Sequence, residues 1–96
     1  MKTLFIIYHE DLEDQVCGIL QRGMFVTRYT RVDDVVGAHM VEVEKLTGYM
    51  TDRRNRLILV IADDKTIADI VAELQVLRNK EGHGLRGFVV DAPQVF

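Results

Sequence analysis

The sequence predicts an α+β sandwich in the order β-α-β-β-α-β, a four-stranded antiparallel sheet with both helices on one face. Three observations predict it. Leu4–Ile7 and Leu57–Ala62 are apolar at every position and too short to be helices, so each reads as a strand. Each is followed by a segment whose apolar residues recur at helical spacing. Two further strand-like runs, Met24–Val32 and Leu85–Val90, complete two β-α-β units joined by one long connection, the order of a ferredoxin-like sandwich.

The first strand spans Lys2 to Tyr8. After His9 come acids suited to a helix's first turn, then Leu12, Val16, Ile19 and Leu20 on one face, with Gly23 as the stop. In Met24–Val32, Phe25, Thr27, Tyr29 and Arg31 point one way and Val26, Arg28, Thr30 and Val32 the other, as in a strand. Leu57–Ala62 reads as a strand covered on both sides. Asp63 and Asp64 cap the second helix, whose stripe is Ile67, Ile70, Val71, Leu74 and Leu77, with Arg78 and Lys80 where the helix dipole favours cations. Gly82 ends that helix, the turn Gly82-His83-Gly84 leads into the last strand, and Pro93 stops regular structure.

Asp33–Asn55, about 23 residues, carries no clean period. A connection of that length in a compact domain serves a function or is disordered. Val41 and Val43 alternate with Glu42 and Glu44, so part of it can extend the hairpin as strand.

The totals bound the function. A chain of 96 residues makes one domain, here spanning 1–96, and 48% apolar with 28% charged residues is a globular balance. A net charge of -3 argues against nucleic acid as the main partner. Cys17 is the only cysteine, which excludes an intrachain disulfide and fits a reducing cytoplasm. The apolar runs fall far short of the roughly 18 residues of a membrane span, and no signal-peptide pattern opens the chain. Two helices dry only one face of a sheet, yet the strands expected at its centre are apolar on both faces. Each exposed Leu, Ile or Val costs roughly 1.5–3 kcal/mol relative to burial, so identical subunits are expected to bury the second face against one another. The alternative is a monomer whose tail, with Val95 and Phe96, folds over it.

Among chemistry-bearing residues, His9, His39, His83 and Cys17 match no compact metal motif, and His9 is placed to cap a helix. Glu10, Asp11, Glu13 and Asp14 read as first-turn acids that favour the helix dipole, with acid–base catalysis as the minor reading. Asn79–Gly87 sets three glycines beside Lys80 and Arg86, an arrangement that lets backbone amides approach a phosphate and that also serves as a plain helix cap and turn. Arg53, Arg54 and Arg56 form a basic cluster, read either as a solvated face or as a contact for an acidic partner. Tyr49 and Met50 on the long connection are plausible anchors for a protein partner, as is Met40 beside His39. No catalytic residue and no metal site is assigned.

Together the opening Met-Lys with its apolar strand, the glycine closing the first helix, the long excursion and Leu-Val-Ile-Ala-Asp-Asp before the second helix resemble the nitrogen regulatory PII superfamily, specifically its short PII-like members. The resemblance implies a cytoplasmic, non-enzymatic trimer of ferredoxin-like subunits. Its T-loop, here Asp33–Asn55, would dock on a transporter or enzyme, with His39, Met40, Tyr49, Met50, Arg53 and Arg54 as the partner-binding residues. A small anionic effector, with ADP, ATP or AMP as candidates, would sit between subunits. Gly37, Lys80, Gly82, His83, Gly84, Arg86 and Gly87 would line its site. The arginine-bearing C-terminal segment of nucleotide-binding PII proteins has no counterpart before Phe96, so neither nucleotide binding nor 2-oxoglutarate sensing follows from the resemblance alone. Two other readings stay open: a metal-responsive protein similar to the CutA trimers, using His39, His83 or Cys17, and a small ferredoxin-like isomerase with Glu10 or His9 as base.

Overall fold

The computed structural model describes residues 1–22, 28–43, 46–93 and 95–96, with the side chains of 37–43 and 46–53 outside the description. Strand β1 (Lys2–His9) leads through a 3₁₀ turn (Glu10–Leu12) into helix α1 (Glu13–Gln21). Strands β2 (Thr30–Val43) and β3 (Leu46–Ala62) follow, then helix α2 (Asp64–Glu81) and strand β4 (Leu85–Asp91). The strands form one sheet in the order β2-β3-β1-β4, and every pairing is antiparallel. This is the predicted sandwich. Gly23 and the Met24–Thr27 part of the expected second strand lie outside the described residues, and β2 is described from Thr30.

Register decides which face each residue serves. In β1, Leu4 pairs with Val60 and Ile6 with Ile58, and all four are buried. They meet Val16, Ile19 and Leu20 of α1 and Ile67, Ile70, Leu74 and Leu77 of α2, which recur at the spacing of one helical face. Phe5, Ile7, Leu57 and Leu59 alternate onto the opposite face and are half-buried. Leu57–Ala62 is therefore covered on one side only within a single chain, the side of Ile58 and Val60 on which both helices lie. Ile61 is 60% exposed, Phe88 52% and Val90 48%. The tail does not cover this face, since Val95 and Phe96 stand out in solvent.

Helix α2 begins and ends for a local reason. Asp63 adopts an extended backbone and its carboxylate accepts from the Thr66 amide at 2.7 Å, capping α2. Gly82 closes the same helix at φ 79°, in the left-handed region, and returns its amide to the Arg78 carbonyl.

The main difference from expectation is the long connection. The described residues of Asp33–Asn55, 33–43 and 46–55, belong to two long paired strands rather than to irregular chain. The ladder between β2 and β3 continues from Gly37 opposite Asp52 out to Val43 opposite Leu46. Glu44, the last residue of the expected alternation, and Lys45 lie outside the described residues.

Candidate functional site: the base of the ribbon

Where the glycine turn crosses the end of β1, the chain encloses a hollow of about 310 Å³ lined by His9, Asp11, Leu12, Asn55, Glu81, His83 and Gly84. The His9 amide donates to the Gly84 carbonyl at 2.9 Å, tying the turn to the strand end. Gly84 sits at φ 77°, and a Cβ there would stand 3.5 Å from that of His9. The turn can lie this close to β1 because glycine tolerates the backbone angle. The His9 ring nitrogen Nδ1 accepts from the Asp11 amide at 3.1 Å, the capping role read from the sequence. Nδ1 of His83 lies 3.0 Å from the Glu81 carbonyl oxygen. Among the described residues, the lining offers imidazole, amide and carboxylate groups and no hydroxyl, thiol or amine nucleophile. Such a set suits recognition by hydrogen bonding.

A second cluster stands beside it, where the helical layer ends. Each oxygen of Glu13 receives two donors. Oε1 accepts from Arg31 Nη1 at 2.8 Å and from the Cys17 thiol at 3.2 Å, while Oε2 accepts from the Tyr8 hydroxyl at 2.6 Å and from Arg56 Nη1 at 2.7 Å. Burial alone would raise the Glu13 pKa, but the hydrogen bonds from Tyr8, Arg56, Cys17 and Arg31 outweigh it and hold the pKa down at about 2. The same contact works in reverse on the donors. Burial and then the bond to Glu13 push the Tyr8 hydroxyl and the Cys17 thiol above their ordinary ranges, so both stay protonated. Asp33 joins from the far side, 2.9 Å from Arg31 Nε and 3.6 Å from Arg56 Nε.

The predicted site residues are distributed over several places in one chain. His83 and Gly84 line the hollow at the ribbon base, and Gly82 precedes them in the turn. Arg86 and Gly87 line a separate hollow of about 290 Å³ between α2 and β4. Lys80 lies along the groove between α1 and α2, with Arg22 and Glu73. Gly37 pairs with Asp52 where the outer ladder starts. The side chains of His39, Met40, Tyr49, Met50 and Arg53 lie outside the description, and Arg54 is exposed on β3 just past them. Composition and spacing gave no reason to join His9 or Asn55 to the glycine turn. Glu13 could be read from sequence only as a first-turn acid. Among the described residues, no group of three or more His, Cys, Asp or Glu could hold a metal.

No protein-family model matches the chain, and no curated protein matches it. Solved structures do. The chain is similar to CPII, a nitrogen regulatory PII-like protein from Thiomonas intermedia K12 bound to ADP, AMP and bicarbonate, at TM-score 0.66 and 20% identity, covering 97% of this chain and 94% of that one. The fold is PII-like. The same fold is shared with GlnK of B. subtilis, at TM-score 0.64 and 16% identity, covering 93% of this chain and 82% of that one. A DUF3240 family protein from Shewanella baltica OS155 also shares it, at TM-score 0.63 and 14% identity, covering 97% and 90% of the two chains. The described part of Asp33–Asn55, expected as a loop between strands two and three, is the outer pairing of β2 with β3. Among the described residues, no helix is long and apolar enough to cross a membrane.

Proposed function

We propose that this chain is a non-enzymatic PII-like regulator, a cytoplasmic homotrimer that binds a small anionic effector and signals to a protein partner. The effector is an adenine nucleotide, held between subunits at the glycine turn Gly82–Gly87 and the ribbon base near Gly37. The partner, a membrane transporter or an enzyme, is met by the ribbon Asp33–Asn55 through His39, Met40, Tyr49, Met50, Arg53 and Arg54.

One observation carries this reading: Asn55 both lines the hollow beside His83 and Gly84 and belongs to the base of the ribbon. A molecule held at the turn would touch the element that leaves the body of the protein. It would then favour whichever ribbon setting it binds better, and a signal of this kind requires only that difference in affinity. The adenine nucleotides in the CPII structures support the choice of ligand class.

Calorimetric titration with ADP, ATP and AMP, with and without bicarbonate, tests it. Saturable heat with at least one nucleotide is expected, weakened tenfold or more by His83→Ala. An absence of heat with all three removes the nucleotide.

A further inference from the structure

The ladder between β2 and β3 is interrupted twice, and the two interruptions cancel. Between the pairs Val32–Leu57 and Val35–Asn55, β2 carries two residues, Asp33 and Asp34, where β3 carries only Arg56. Between Val35–Asn55 and Gly37–Asp52 the surplus passes to β3, which carries Arg53 and Arg54 against Val36. Each is a bulge, and bulges bend and twist the strands that hold them. Because one lies on each strand, the outer ladder resumes the register of the inner one. Asp34 takes the left-handed conformation at φ 57°, which aspartate tolerates better than most residues.

The Glu13 cluster grips this interruption. Arg56 is the residue opposite the first bulge, Asp33 is one of the two bulged residues, and Arg31 precedes them on β2. Glu13 anchors both arginines to the start of α1 at 2.8 and 2.7 Å. Between the two bulges the single pair left is Val35–Asn55, and Asn55 lines the hollow at the glycine turn.

We propose that the double bulge at 32–37 and 52–57 is a hinge for the ribbon, and that Glu13 is the latch that fixes its setting through Arg31 and Arg56. Glu13 is a positioning residue, acting through the two arginines on the strand that carries the bulge. The use of the hinge in signalling rests on the function proposed above, whereas the latch itself does not.

Hydrogen exchange followed by mass spectrometry on the full chain tests the latch. Glu13→Gln keeps the size of the side chain and removes its charge. Exchange of amides in 32–37 and 52–57 is expected to quicken at least tenfold, while β1 and α2 keep their protection. Unchanged exchange at the hinge overturns the proposal, and so does an equal acceleration throughout, which would mark Glu13 as a general stabiliser. If Glu13→Gln does not fold, Asp33→Asn loosens the same arginines from the ribbon side and is read against the same two outcomes. Nucleotide heat in the native protein with an unchanged hinge in the variant defeats the latch alone. A quickened hinge with no nucleotide heat defeats only the ligand.

Discussion

Glu13 shows what one side chain can do when four donors converge on it. Its carboxylate stays charged to about pH 2 against an ordinary 4.5, so it binds a proton more readily in the unfolded chain than in the native one. A depressed native pKa contributes stability above the unfolded value and loses it as the pH falls through the native value. Glu13 therefore stabilises the fold fully above about pH 4.5, and the contribution drains away between 4.5 and 2. Its side chain is 20% exposed, so solvent screens part of the effect, leaving about 2 kcal/mol. Urea denaturation of native protein and Glu13→Gln across this range is expected to show the gap between them shrinking toward pH 2. A gap that does not change with pH would mean that the charge contributes nothing. The Cys17 thiol tests the same cluster from its other end. Burial and Glu13 raise its pKa, so Glu13→Gln is expected to speed its alkylation by iodoacetamide at pH 8 several-fold, and an equal rate would contradict the coupling.

At the scale of elements, what the sequence revealed depended on whether periodicity survived. α2 was legible from end to end, because Asp63, the apolar stripe and Gly82 are all local signals, and each appears in its expected place. Gly82→Ala is expected to cost about 1 kcal/mol, since a Cβ at φ 79° is strained even though open space surrounds it. Thermal denaturation would measure the cost. The ribbon was legible only in part, from the alternation that begins at Val41, because each strand carries one bulge, Asp33–Asp34 on β2 and Arg53–Arg54 on β3, and each shifts its own strand's period-two pattern by one residue near the base. The candidate site was legible only in part. Gly82-His83-Gly84 announces a tight turn, but His9 and Asn55 reach it from other strands. Likewise Arg31 and Arg56 lie 18 and 43 residues from Glu13, beyond the reach of any local motif.

The whole molecule carries a consequence that neither residues nor elements contain. Phe5 of β1 stands in register with Leu59 on one side and Phe88 on the other, and Ile61 and Val90 flank Thr3 in the next row. These side chains form an apolar band across three strands on the face without helices. Water contact is costly for so continuous a band, at roughly 25 cal/mol for each Å² left uncovered. The ring of three copies proposed above would bury this band within a closed assembly. Light scattering is therefore expected to give three times the chain mass of 11.0 kDa at micromolar concentration. Ile61→Glu with Phe88→Glu would bury two charges at the centre of the contact and is expected to give a folded single chain or an aggregate, with helix content retained in the soluble fraction. A native protein that stays at 11.0 kDa would show that the band tolerates water. The effector site would then have to be completed within one subunit, from the hollow that His9, Asn55 and His83 already share.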